Sequence, residues 1–302
     1  MTGYLHQDYA NSLAEFGALI NLTRCQGWIL KRQIPGFSYC DAMGCYPFFA
    51  CRNWPQLHAD LEDLKNDLIC LSIVTDPFGD YDETYLQRCF QDVVIPFKKH
   101  YIIDLNLPME TYMSDHHQRY SNKALLNVYV EKCENPKEFL DDWVALYENL
   151  IDRHNIKGIT AFSKRSFAKQ LNVPGIVAFR AVFEGTTIGM LLWFVQDEVG
   201  YYHLGAYNDC GYEMRASFAL FRFAIDYFTT EKLQRLNLGA GAGLEGNGKD
   251  GLSRFKRGWS TGTQTVYFCG RIFNYRAYDL LVAKKGVEDS KYFPKYRQGE
   301  FG

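Results

Sequence analysis

The sequence predicts an α+β fold made of two lobes, each a mixed, largely antiparallel sheet flanked by helices. Three observations lead there. The 302 residues suit two compact domains of ordinary size. Strand-like and helix-like runs alternate up to Asn135-Pro136, where the pattern resets with a strong amphipathic helix. Beyond it, VAFRAVFEGTTIGMLLWFVQDEVGYYHLGAYND (177–209) contains three strand-like runs and reads as an antiparallel meander. The expected lobes are residues 1–135 and 136–302.

Taken in order, the chain is irregular and aromatic up to about Trp54. QLHADLEDLKNDL (56–68) places Leu57, Leu61, Leu64 and Leu68 at helical spacing. ICLSIVTDPFG (69–79) reads as a buried strand closed by a Pro/Gly turn, and YLQRCFQDVV (85–94) as a helix. HYIIDLNLP (100–108) is a strand stopped by Pro108. SDHHQRYSNKALLN (114–127) is a helix with Ser114 as N-cap, and NVYVEKC (127–133) a strand. PKEFLDDWVALYENLIDRHNI (136–156) sets Leu140, Trp143, Val144, Tyr147, Leu150 and Ile151 on one helical face. A shorter helix is expected over 163–173. In the meander, Glu184-Gly185 and residues 197–200 supply the turns. A long helix over 212–232 points Phe218, Phe221, Ala224, Ile225 and Phe228 inward. LQRLNL (233–238) is a short strand, LSRFKRGW (252–259) a short helix, and TQTVYFCGRIF (263–273) a last strand. The tail YFPKYRQGEF (292–301) packs on a lobe or frays, unless it closes over a cleft.

Composition narrows the function. Hydrophobic residues are 47% and aromatics 16%, ample for packed cores. A net charge of −2 excludes a chain that is an overall electrostatic glove for nucleic acid; DNA is not an expected partner. FKKHY (97–101) and RFKRGW (254–259) remain candidates for a local basic face. The nine cysteines lack C-x-x-C spacing and no H-x-x-x-H follows, so no metal is expected and the thiols read as free and mostly buried. No run reaches the roughly 18 apolar residues a membrane span needs, and the start lacks a cationic segment leading into an apolar one. The expectation is a soluble, cytoplasmic protein. Oligomeric state is not legible.

NLGAGAGLEGNGKD (237–250) matches two phosphate-loop spacings. Gly241, Gly243 and Gly246 fit G-x-G-x-x-G, but too little chain follows to complete a dinucleotide-binding half. Gly243, Gly248 and Lys249 fit G-x-x-x-x-G-K, but Asp250 stands where Ser or Thr must hold Mg²⁺. The favoured reading is a loop whose glycines permit positive φ and close approach beside a cleft.

From 136 onward the order is two helices, a meander, a long helix, a strand, a loop, a short helix and a strand. With LGAG (238–241), the block Leu252-Ser253-Arg254-Phe255-Lys256-Arg257-Gly258-Trp259 and the strand YYHLGAY (201–207), this resembles the GNAT acyltransferase superfamily, in its FemABX-like and BioF2-like branch. QRYSNKAL (118–125), after Asp104-Leu105, is similar to a helix of that branch's N-terminal lobe. The resemblance implies two GNAT-like lobes and an N-acyltransferase, one that moves an acyl group from a thioester donor (acyl-CoA or acyl carrier protein) to an amine by direct attack. Its alternatives are aminoacyl-tRNA-dependent peptidyl transfer to a cell-wall or small-molecule amine, and a non-catalytic binding module on the same fold. The implied partners are thus a small-molecule or cell-envelope amine, with tRNA or a carrier protein as donor. No bound cofactor is implied; the acyl donor is a co-substrate. One departure stands out. NDCGYEMRAS (208–217) replaces the phosphate loop that ordinary acetyl-CoA members carry before the long helix.

Acyl transfer needs an oxyanion stabilised and a proton moved. Lys256, beside the glycine loop, is the candidate for the first, against the plainer reading of an exposed cation. His203 and Tyr207 are candidates for the second. Period-2 alternation aligns Tyr201, His203, Gly205 and Tyr207 on one strand face, although a lone strand histidine is commonly a core residue. Arg119 and Lys123, four apart on a helix, with Asp104, are candidates to hold an anionic acceptor or phosphate, against a solvated helix face. Trp193, Gly239, Gly241, Phe255 and Arg257 complete the substrate- and donor-binding candidates. His116-His117 point about 100° apart on a helix and do not suit one metal.

Overall fold

The computed structural model describes residues 1–243 and 250–300. In chain order its elements are α1 (Gln7–Ser12), β1 (Ala18–Leu22), β2 (Gly27–Gln33), β3 (Cys40–Gly44), α2 (Leu57–Asp63), β4 (Cys70–Val74), α3 (Glu83–Cys89), β5 (Val93–Asp104), α4 (Asp115–Leu125), β6 (Tyr129–Cys133) and α5 (Leu140–His154). There follow α6 (Lys164–Gln170), β7 (Ile176–Phe183), β8 (Thr186–Gln196), β9 (Val199–Tyr207), α7 (Asp209–Glu213), α8 (Ala216–Thr230), β10 (Arg235–Asn237), α9 (Gly251–Arg257), β11 (Gly262–Ile272) and α10 (Tyr275–Lys285).

The chain divides into two compact units. One comprises residues 1–3, 98–156 and 163–264; the other 4–97, 157–162 and 265–302. The sequence reading put a boundary at 135/136. Of the observed divisions, two fall inside β5 and β11, each of which contributes residues to both units.

In the first unit the strands run β5-β10-β9-β8-β7-β6. All pairs are antiparallel except β10–β9, which is parallel. The meander turns as expected, with Glu184 at φ 48°, Gly185 at 77° and Asp197 at 51°. Trp193, Phe221, Phe228, Leu236 and Trp259 fill the core beneath α8 and α4. α5 and α6 bring Trp143, Tyr147 and Phe167 together in a second aromatic group. Ser114 caps α4 by accepting the His117 amide, as its position predicts. The expected long helix is two: Arg215, at φ 57°, separates α7 from α8.

In the second unit the order is β1-β2-β3-β4-β11, antiparallel except for β3–β4. Its core gathers Ile29, Phe49, Trp54, Leu57, Leu61 and Leu86. Tyr278, Leu281 and Tyr296 form a smaller cluster with Ile34 and Ile69. Three expectations are corrected here. The segment before Trp54 is a three-stranded hairpin array, not irregular; its first turn forces Gln26 to φ 57°, which no Gly or Asn advertises. Residues 93–94 belong to β5, because α3 ends at Cys89. A further helix, α10, follows β11, N-capped by Asn274 and closed by Gly286 at φ 62°. The tail residues Tyr296 and Arg297 are buried against this unit. Both units are therefore mixed, largely antiparallel sheets with helices, an α+β architecture.

Gly211 lies in α7, where an added Cβ would stand 2.1 Å from the Ile188 carbonyl oxygen. Backbone cannot yield there as a flexible side chain would. Gly211→Ala is expected to lower the unfolding free energy by roughly 1–3 kcal/mol in urea denaturation.

Candidate active site

Pairing between β10 and β9 covers only Arg235–Asn237 with Val199–Tyr201. Beyond it the two strands separate. Leu238 N–H donates to Tyr101 O and Tyr101 N–H to Gly239 O, so the chain after β10 stays with β5. β9 continues to Tyr207 alongside β8. The Lys256 side chain ends in this fork. Its Nζ donates to Ala240 O at 2.7 Å and lies 5.3 Å from the centre of the Tyr202 ring. Lys256 is only 5% exposed, which overturns the plainer reading of a solvated cation.

Three local features put it there. Asp250 N-caps α9, accepting from Ser253 N, Ser253 Oγ and Ala242 N. That directs Ser253 and Lys256, three apart, to the buried side of the helix. The loop then packs down: a Cβ on Gly241 would lie 2.0 Å from Ser253 Oγ, and one on Gly239 (φ 72°) 3.3 Å from Lys256 Nζ. Finally, His117 of α4 accepts from Ser114 Oγ at Nδ1 and donates from Nε2 to Phe255 O, 2.8 Å each. It also fills the space over Gly258. The glycines thus serve positive φ and close approach, as expected of a close-approach loop. Gly246, Gly248 and Lys249, on which the phosphate-loop spacings depended, lie outside the described residues.

The two basic stretches noted in the sequence meet at this fork. Burial, and next the Lys98 charge, push the Lys256 ammonium down to about 7; Asp250 opposes them. Lys98 is itself lowered by burial. His100 is pushed down to about 3 by burial, then by Lys256, so it is neutral at ordinary pH. Its Nδ1–H donates to Asn237 Oδ1, which also accepts Gly239 N–H. The site thus holds two amines that each gain from a neighbouring anion. Sequence reasoning missed Tyr202, Asn237 and His100 as members. The KKH run in FKKHY was the available signal, but its partner strand is 135 or more residues away in the chain.

The other candidates distribute differently. The alternation argument for His203 and Tyr207 fails because β9 bulges: Leu192 pairs with Leu204 and Trp193 with Tyr202, leaving His203 as the extra residue. The bulge reverses the parity beyond it. His203 turns to Gln170 of α6 (Nε2···Oε1 3.1 Å) and Phe194, away from the fork, and burial pushes it down to about 3. Tyr207 shares the core with Trp193, and burial raises its phenol well above 10. His203 therefore faces away from the fork, whereas Tyr207 lies on the Tyr202 side, with burial first and Tyr202 next holding its phenol protonated. Gly205 instead lies against Tyr202, where a Cβ would meet the hydroxyl at 2.4 Å. Trp193 is wholly buried in the core, against Tyr202, Phe221 and Phe228. Phe255 packs on His117, Phe218 and Phe221; Arg257 is exposed. Arg119 and Lys123 are exposed on α4, which reaches α9 through His117 instead. Asp104 accepts from Asn106 at the end of β5. Among the described residues no His/Cys/Asp/Glu cluster could hold a metal, and no helix is long and apolar enough to cross a membrane.

Lys256 is predicted to destabilise the fold in a pH-dependent way. Its folded pKa near 7 lies below the unfolded value near 10.4. Between these the unfolded chain binds more protons, so stability rises with pH; below 7 the full penalty is present. Lys256→Met should therefore be more stable than the parent at pH 6, by about 2–4 kcal/mol, and the gain should vanish by about pH 10. Denaturant titrations at the two pH values read it directly.

No family model and no curated protein matches the sequence. Solved structures do match. FemX superposes over 91% of this chain and 93% of its own, with a TM-score of 0.68 at 15% identity. The C-terminal DUF2156 domain of a proposed lysylphosphatidylglycerol synthetase from Agrobacterium fabrum covers 91% of both chains, at 0.63 and 12%. L-PGS from Bacillus licheniformis covers 94% of this chain and 96% of its own, at 0.59 and 13%. The chain therefore has the fold of FemX and of these two structures.

Proposed function

We propose that the protein is an acyltransferase that joins an acyl or aminoacyl group to an amine at the β9–β10 fork. The observation that carries this is the buried Lys256 ammonium between Tyr202 and Ala240 O. An amine attacks the acyl carbonyl, and the new C–N bond forms as the carbonyl oxygen becomes an oxyanion. Lys256 is the cation aimed at that charge in a poorly solvated site. Collapse breaks the bond to the leaving oxygen or sulfur, which takes the proton lost by the amine. His203, turned to Gln170, has no part in this reading.

The turn into α8 bears on the donor. In that segment the amides of Gly211, Tyr212, Met214 and Arg215 already donate to Asn208 Oδ1, Asn208 O, Cys210 O and Tyr212 O. They are not available to cradle a coenzyme A pyrophosphate. This favours an acyl group carried by tRNA or a carrier protein over free acyl-CoA. The name lysylphosphatidylglycerol synthetase, borne by a structural neighbour, supports an aminoacyl group. Lys98 and Lys256 then meet a donor phosphate.

Separate incubation with aminoacyl-tRNA, acyl carrier protein and acyl-CoA pools, with an amine mixture, should show loss of one of the first two by mass spectrometry. Consumption of acyl-CoA alone would reverse the donor assignment. Lys256→Met is expected to reduce kcat by about 10²–10³ while remaining folded. Because the cationic Lys256 binds the anion, donor affinity should weaken as pH rises through about 7. In Lys256→Met that pH dependence should disappear. A tRNA donor should also bind with a log–log salt slope of roughly −0.7 per phosphate contacted.

A further inference from the structure

The second unit contains a cavity of about 160 Å³ whose walls include Tyr46, Ile73, Phe268 and Phe293. Arg32 and Arg297 line it too, and both are 8% exposed. Their partners are unequal. Asp41, wholly buried, accepts from Arg32 Nε (3.2 Å) and from Arg297 Nε and Nη2 (2.8 and 2.9 Å). Tyr296 Oη also donates to it, at 3.1 Å. One carboxylate thus serves two guanidinium groups, which leaves the buried set one positive charge in excess. The second carboxylate is Glu300. Its oxygens lie 3.0 and 3.1 Å from Arg32 Nη1, and Oε1 lies 3.2 Å from Arg297 Nη1. Unlike Asp41, its side chain is 28% exposed, at the cavity wall. A buried charge must be matched, but the matching group need not be this one.

We infer that this cavity binds a small organic carboxylate with an aromatic or branched apolar body, and that Glu300 is the chain's own exchangeable stand-in for it. The two outer guanidinium nitrogens supply the paired donors that a carboxylate accepts. Tyr46, Ile73, Phe268 and Phe293 supply apolar contact. The volume is close to that of an engineered cavity of about 150 Å³ that takes up benzene, so the body is about the size of one ring. This site lies wholly within the second unit and does not rest on the transferase reading.

Ligand-detected NMR on the full chain, titrated with benzoate, isovalerate, benzamide and benzylamine, tests it. At least one of the two carboxylates should bind, and benzoate at least tenfold more tightly than benzamide or benzylamine. Glu300→Gln keeps the shape of the competing group and removes its charge; it should tighten carboxylate binding at least fivefold. Lys256→Met should leave it unchanged. No binding of either carboxylate in parent and Glu300→Gln, equal binding of benzoate and benzamide, indifference to Glu300→Gln, or loss of binding in Lys256→Met would each overturn the inference. Arg32→Lys, which keeps the charge but not the planar group that reaches Asp41 through Nε and the cavity through Nη1 at once, should weaken benzoate; a folded Arg32→Lys protein that binds as the parent does would count equally against it.

Discussion

The departure of β10 from β9 after Asn237 opens the backbone in the middle of a sheet, and a buried ammonium group occupies the opening. Most of the first unit's detail follows from holding that cation in place. It needs an acceptor, which Ala240 O supplies, and a polarisable wall, which the Tyr202 ring supplies. It needs a helix that cannot roll, which His117 and the Asp250 cap secure from opposite ends. It also needs glycine at 241, where a Cβ would stand against Ser253 Oγ, and at 239, whose positive φ of 72° strains any side chain and whose Cβ would crowd Lys256.

The neighbours of Lys256 set its charge state. His100 is close enough to add a second or third cation, yet burial keeps it neutral and Asn237 fixes its tautomer. Lys98 does the opposite, lowering Lys256 and being lowered by burial itself. Two amines held below their ordinary range make a site whose charge rises when an anion arrives. That is a useful property for a step in which negative charge develops on an oxygen.

The second unit treats buried charge in another way. Around Asp41 the guanidinium groups, the Tyr296 hydroxyl and the Glu300 carboxylate satisfy one another within hydrogen-bonding distance. Arg271 similarly donates to Cys89 O and Glu62. In the first unit cationic charge is left in tension; in the second it is matched, with one member of the match within reach of solvent. The same residue types therefore serve different ends according to what surrounds them.

Much of this was legible in the amino-acid order. The meander, α4 with its Ser114 cap, α5, α9 and β11 follow from local periodicity and capping, which depend on neighbours a few residues apart. Lys256 was singled out by the family resemblance and its place beside the glycine loop, whereas the Asp250 cap that orients its helix shows only in the structure. The hairpins before Trp54 did not show, because Gln26 takes a turn conformation that its side chain does not announce. The pairing of His203 with Tyr207 was misread because one bulged residue reverses every side chain after it, and a bulge is set by the opposing strand. What the sequence by itself determined was which segments would be helices and strands and which cation stood beside the glycine loop. Tertiary structure alone decided that FKKHY and RFKRGW would face one another, and that His203 would turn away. It also decided that the lysine would be buried, because strand pairing and burial depend on residues a hundred or more positions apart, and no local pattern encodes them.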